Sequence, residues 1–142
     1  MRNILVINGP NLNLLGQRNE EFYGSETLDN LEKKLTDYTS DRDIILSFFQ
    51  SNIEGKIIDE IQKKSHQNID GIIINAGGYT HTSVAIRDAI EASNIKTVEV
   101  HISNISKREE FRHNSLISPV CVGTIFGFGM LGYTLAIDYF LK

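Results

Sequence analysis

NILVIN at residues 3–8 and DGIIINA at residues 70–76 are runs of branched aliphatic residues without polar alternation, each followed directly by glycine. Strands buried on both faces look like this, because a strand with one wet face alternates polar and apolar positions. Working outward, residues 9 to about 26 form a polar loop, and Leu28, Leu31, Leu35 and Tyr38 then recur at helical spacing. DIILSFFQ (residues 43–50) is a second strand, and Ile53, Ile57, Ile58 and Ile61 mark a second helix. Beyond residue 76, residues 82–93 place Ala85, Ala89 and Ala92 on one helical face. Residues 96–103 and 120–126 are the fourth and fifth strands, and a helix runs from about residue 129 to 141.

Strands alternating with helices predict an α/β protein, a parallel sheet with helices on both faces. Five strands in this length fit the flavodoxin-like order 2-1-3-4-5 most simply, in one domain over residues 1–142. In the last helix Thr134, Asp138 and Lys142 make one narrow polar stripe in otherwise apolar surroundings. Such a helix requires burial around most of its circumference, either from the sheet or from a second subunit.

Composition narrows the functional classes. The chain has 142 residues, 41% apolar and 23% charged, with net charge −4 from 18 acidic and 14 basic residues. A basic stripe for nucleic acid is absent, and the acidic balance disfavours docking on anionic membranes. One cysteine, Cys121, can form neither an internal disulfide nor a cysteine zinc site. It reads as a small core hydrophobe in a buried strand. The first residues are too short an apolar run for a signal peptide, and no run is long enough to span a bilayer, so a cytoplasmic protein is expected.

Open parallel sheets bind ligands beyond the carboxyl ends of their strands. The unusual polar residues gather there: Asn8 and Asn11, then Arg18 and Tyr23, after strand one; Asn75 to His81 after strand three; Glu99, His101 and Ser103 at the end of strand four; and Arg108 and Arg112 in the loop that follows. A small-molecule site on this rim is the favoured hypothesis. Strand alternation puts Glu99, His101 and Ser103 on one face, either as a carboxylate-oriented general acid or as a partly solvated surface. Arg18 beside Tyr23 can favour a phenolate base, or the pair can be a packing tyrosine and a surface arginine. Asn75 to His81 can hold an anion at a helix start or serve simply as turn and cap. Arg108 and Arg112 can clamp a carboxylate or pair with Glu109 and Glu110.

Two patterns are discounted. GFGMLG (residues 127–132) matches a dinucleotide fingerprint but ends ten residues before the last residue given, with no further strand and acidic residue, so its glycines serve helix packing. His66, His81, His101 and His113 lack metal-ligand spacing.

Taken together, NGPNLNLLGQR (8–18), FYG (22–24), INAGGYTHTSVAIRDA (74–89), EVHISN (99–104), REEFRHNS (108–115) and SPVCVGTIFGFGMLGY (118–133) resemble type II 3-dehydroquinate dehydratase over almost the whole chain. That resemblance implies a cofactor-free, metal-free hydro-lyase of the shikimate or quinate pathway. It converts 3-dehydroquinate to 3-dehydroshikimate by anti elimination through an enolate, in subunits assembled as trimers into a dodecamer. It further implies Tyr23 as base, Arg18 as its cationic support, Asn11 as holder of a water at the enolate oxygen, and His101, oriented by Glu99, as acid. Asn75, His81, Ile102, Ser103 and Arg112 would bind the substrate, and Asp88 would reach a neighbouring subunit's site. The family often reads Glu-Pro after the arginine, where this chain has Asn19-Glu20, which predicts a more flexible lid loop. The competing class is a flavodoxin-like domain that binds a small anion without chemistry.

Overall fold

A computed structural model describes residues 1–17 and 20–142, with the side chains of Glu20 and Tyr23 excepted. Five parallel strands form one sheet: β1 (Arg2–Asn8), β2 (Ile44–Gln50), β3 (Gly71–Asn75), β4 (Thr97–His101) and β5 (Gly123–Phe126), in the order β2-β1-β3-β4-β5. This is the expected flavodoxin-like layout.

Two-sided burial explains the unbroken apolar runs. Ile4, Val6, Ile73, Val98 and Val100 face one core, closed by α2 (Leu28–Thr39) and α5 (Leu131–Phe140). Leu5, Ile7, Ile72 and Ile74 face the other, closed by α3 (Glu54–His66) and α4 (Val84–Ser93). The helix starts are chemically marked. Thr27 caps α2 by accepting from the Asn30 N–H at 3.1 Å, and Ser83 caps α4 by accepting from the Ile86 N–H at 2.9 Å. The polar loop after β1 is less irregular than expected, holding a 3-10 turn at Leu12–Leu14 and the one-turn helix α1 (Glu20–Tyr23). Leu12 and Leu15 anchor it in the first core.

Three readings need correction. The buried face of α4 is Ile86, Ala89 and Ile90, while Ala85 and Ala92 are exposed. Larger side chains gain more from burial, so the isoleucine stripe outcompetes the alanine one. The fifth strand starts at Gly123 rather than near residue 120, because Ser118–Val120 is a 3-10 turn with Pro119, which has no N–H to give a sheet ladder. Cys121 therefore lies in the turn region before the strand and is only partly buried.

The last helix shows three surfaces. Tyr133, Ala136, Ile137 and Phe140 pack into the core, and a Cβ on Gly132 would stand 3.2 Å from a Val100 methyl, so this glycine serves close packing. Asp138 turns towards α2 and accepts a 2.6 Å hydrogen bond from the Tyr38 hydroxyl. Leu131, Leu135 and Tyr139 remain exposed in a row one turn apart. The sheet thus covers part of the helix and leaves an apolar row open in the single chain. Among the described residues no helix is long and apolar enough to cross a membrane.

Candidate active site

The loops after β1, β3 and β4 meet beyond the carboxyl end of the sheet, around a cavity of about 110 Å³ lined by Asn11, Asn75, His81, His101, Ser103 and Arg112 among others. It adjoins a larger hollow of about 720 Å³ with Ile102 and Ser103 in common, whose far wall includes Glu21 and Phe22 of α1. Both histidines and both arginines of the rim line the smaller space, while Glu21, Glu26 and Lys107 line the larger. Gly24, Ser25 and Glu26 continue the α1 wall of the larger hollow.

Close backbone contact holds the first two loops together. The Gly9 N–H donates to the Asn75 carbonyl at 2.7 Å, and a Cβ on Gly9 would lie 2.5 Å from the Ala76 carbonyl oxygen. Only glycine allows that approach. Asn11 takes the left-handed conformation at φ 69°, which asparagine tolerates better than most residues, and its N–H donates to the Asn52 side chain at 2.9 Å. The end of β2 supports the same loop, with Gln50 Nε2 donating to the Gly9 carbonyl at 3.2 Å.

On β4, alternation sends Glu99 and His101 to one side, as expected, and Ser103 follows two residues past the strand's end, but this side is dry. Their exposures are 0%, 5% and 7%. Glu99 Oε2 is hydrogen-bonded to His101 Nε2, while the Ser115 hydroxyl reaches both carboxylate oxygens at 3.0 Å and Thr124 Oγ1 reaches Oε1 at 3.2 Å. With Nε2 engaged, His101 has Nδ1 as its other ring nitrogen. The surface reading of this strand face is therefore excluded: a buried carboxylate with an imidazole and two hydroxyls around it is a built pair.

His81 stands opposite, its ring 6.2 Å from that of His101 and nearly parallel to it. Its Nδ1 lies 2.9 Å from the Asn114 carbonyl oxygen, which can only accept, so Nδ1 carries the proton and Nε2 is an acceptor. Burial holds its pKa below the ordinary histidine value. The Asn114 bond opposes that shift, and the charges of His101 and Arg112 add to it. Asn75 sends one amide hydrogen to the Tyr133 hydroxyl at 3.0 Å and accepts from the Gly77 N–H at 3.2 Å. Its amide has a second hydrogen to offer.

The two arginines divide their work. Arg108 lies over the Phe22 ring at 4.4 Å and reaches the Ser103 hydroxyl at 3.4 Å, linking the β4 loop to α1. Arg112 donates to Glu109 at 3.1 Å while lining the cavity. Both arginines line the cavity and both also lie beside Glu109, so each open reading is partly met. Asp88 sits on the exposed face of α4 and is not among the groups lining its own chain's cavity. Arg18 and the Tyr23 side chain, with the flexibility expected from Asn19, lie outside the described residues.

Several supporting residues went unnoticed in the sequence. Ser115 and Thr124 surround Glu99, and Tyr133, buried in α5, joins Asn75 to Asn8, donating to Asn8 Oδ1 at 2.6 Å. Ser115 ends one of the quoted motifs, which was the available signal. Tyr133 likewise ends a quoted motif, and a tyrosine buried in a largely apolar helix needs a partner for its hydroxyl. Among the described residues no group of three or more His, Cys, Asp or Glu is arranged to hold a metal ion.

Comparison with known proteins agrees with this geometry. The family model described as dehydroquinase class II matches residues 2–141. A 3-dehydroquinate dehydratase of Fusobacterium nucleatum subsp. nucleatum is 55% identical over 141 residues, covering 98% of this chain and 96% of that protein. Another, from Caldicellulosiruptor saccharolyticus, is 56% identical over 142 residues, covering 100% and 97%. The crystal structure of a type II dehydroquinase from Butyrivibrio crossotus superposes with a TM-score of 0.97 at 51% identity, covering 99% of this chain and 98% of that one. With its sheet order, its rim and its full-length match in agreement, the chain belongs to the class II dehydroquinase family.

Proposed function

We infer that this chain is a type II 3-dehydroquinate dehydratase, a hydro-lyase of the shikimate pathway that converts 3-dehydroquinate to 3-dehydroshikimate and water. The observation that carries this reading is the buried Glu99–His101 pair at the cavity wall, in a chain that matches the family from end to end.

Elimination beside a ketone requires a base for the carbon-bound proton, stabilisation of the enolate oxygen, and an acid for the departing hydroxyl. Tyr23, as phenolate supported by Arg18, takes the proton. The C–H electrons become the enolate, and a water held by Asn11 donates to its oxygen. When the enolate collapses, the electrons expel the hydroxyl on the neighbouring carbon as His101 delivers a proton to it, and water leaves. His101 then regains a proton and Tyr23 loses one, which restores the starting state. Arg112 with Ser103 and the Ile102 backbone holds the carboxylate and hydroxyls, while the Nε2 of neutral His81 and the Asn75 amide fix the ring. What supports these roles is the meeting of Asn11, Asn75, His81, His101, Ser103 and Arg112 around one space. Asp88, exposed on α4, reaches the site of a neighbouring subunit in a dodecamer of trimers, and the enzyme works in the cytoplasm without metal or cofactor. The open row Leu131, Leu135 and Tyr139 is consistent with assembly.

The test is direct. Purified protein is incubated with 3-dehydroquinate while the absorbance of the conjugated enone is followed, before and after chelation and borohydride treatment. Activity is expected to persist through both. Tyr23→Phe and Arg18→Gln are each expected to nearly abolish turnover while substrate still binds, and the particle mass should be that of twelve subunits. Saturable binding without product would favour the non-catalytic anion-binding domain instead.

A further inference from the structure

Glu99 is fully buried on β4, and its surroundings form a closed ring of hydrogen bonds with a fixed polarity. The Ser118 N–H donates to Ser115 Oγ at 3.0 Å, and Ser115 Oγ lies 3.0 Å from each Glu99 oxygen. A hydroxyl has one hydrogen. Ser115 accepts from a backbone N–H, so its own hydrogen goes to the carboxylate. Thr124 stands in register with Glu99 across the β4–β5 pairing, and its Oγ1 lies 3.2 Å from Oε1. Its hydrogen is then committed, so the Ser118 hydroxyl, 2.9 Å from Thr124 Oγ1, must donate to it. The Ser115 and Thr124 hydrogens point at the carboxylate, and the two Ser118 donors point at those hydroxyls.

We propose that Ser115 and Thr124 are positioning residues for the dehydration, fixing the Glu99 carboxylate so that its remaining acceptor site orients the His101 imidazole. The proposal rests on the reading of His101 as the acid. A buried carboxylate with His101 as its only partner would be under-bonded and free to rotate about its side-chain torsions. With two hydroxyls on the far side, one rotamer satisfies every group. Ser115 comes from the turn before Ser118–Val120 and Thr124 from β5, so the acid is aimed by segments that themselves stay clear of the substrate cavity.

The experiment is a double-mutant cycle on the intact enzyme, with kcat and KM measured separately. Ser115→Ala is expected to lower kcat about ten-fold with KM within about two-fold of wild type, since a hydrogen bond to a charged group is lost away from the substrate. Ser115→Thr, which keeps the hydroxyl, restores most of the rate. Combined with Glu99→Gln, Ser115→Ala costs less than about two-fold further, because its effect passes through the carboxylate. Wild-type kcat in Ser115→Ala, or an equal loss in both backgrounds, overturns the proposal. If Ser115→Ala fails to fold, Thr124→Val against Thr124→Ser runs the same cycle with the same two overturning results. Absence of product from the wild-type enzyme would instead sink the dehydratase reading. Wild-type turnover that His101→Ala abolishes, with both hydroxyl variants unaffected, would sink this inference alone.

Discussion

Replacing Tyr133 by phenylalanine removes one oxygen from the core of the molecule and leaves two polar groups behind. The hydroxyl donates to Asn8 Oδ1 at 2.6 Å and accepts from Asn75 Nδ2 at 3.0 Å. Tyr133, Asn8 and Asn75 are 0%, 1% and 4% exposed, so water has little access to the partners to replace what is lost. Each buried group left without a partner costs about 1–3 kcal/mol, and sharing between two flexible amides puts the total at about 2–4 kcal/mol. A chain of 142 residues unfolds with an entropy of about 0.3 kcal/mol/K, at roughly 2.1 cal/mol/K per residue, so the melting temperature should fall by about 7–13 °C. Burial pushes the Tyr133 hydroxyl's pKa upward, so it is a donor throughout the working range and the loss should not depend on pH between 6 and about 9. Calorimetric scans at one fixed protein concentration are the appropriate assay, because assembly makes the midpoint concentration-dependent. Looser hold on Asn75 should also raise KM for 3-dehydroquinate more than it lowers kcat. A variant melting within about 2 °C of wild type would show that the three residues are not the closed group described here.

Three further outcomes follow from ionisation. Because burial keeps His81 neutral, with Nε2 as an acceptor, KM should rise as pH falls below the ordinary histidine range of about 6.5, and His81→Gln should flatten that rise. His81 is also expected to make the fold less stable in acid. The unfolded chain takes up this proton at higher pH than the folded one, so its stabilisation is complete above about pH 6.5 and is lost as pH falls through the lower folded pKa. A KM that stays level across this window in the wild-type enzyme would contradict the acceptor role. Burial, with the nearby Glu99 charge adding to it, pushes the Cys121 thiol up to about 12. Disulfide reagents should therefore label it slowly in the native protein at neutral pH and rapidly in denaturant. Equal rates in the two states would refute that.

What the sequence disclosed and what it hid divide along physical lines. Burial on both faces leaves a plain mark, so the central strands and the order of the sheet were legible from runs such as NILVIN. Glu99 and His101 were legible as one face because strand side chains alternate, and Ser103 joins His101 at the cavity from just past the strand's end. The same alternation could not say whether that face was wet. Its dryness depends on Ser115 and Thr124, which arrive from a turn and from the neighbouring strand. The inner side of α4 was misjudged because alanine and isoleucine stripes share a helix, and only packing decides between them. The start of β5 was placed too early because Val120, Cys121 and Val122 are apolar enough to look like strand, although Val120 closes a 3-10 turn and the ladder begins at Gly123. Tyr133 could not be found by periodicity at all, since its partners lie on two different strands.

The two halves of the rim differ in how far along the chain they must reach. Glu99 and its hydroxyl partners fall within 25 residues of one another, whereas the bond between Asn8 and Tyr133 spans 125. Closing a short loop forfeits less chain entropy than closing one that spans most of the sequence. A refolding molecule should thus regain the surroundings of its acid while its substrate anchor is still apart. Catalytic competence would return only when the final helix docks.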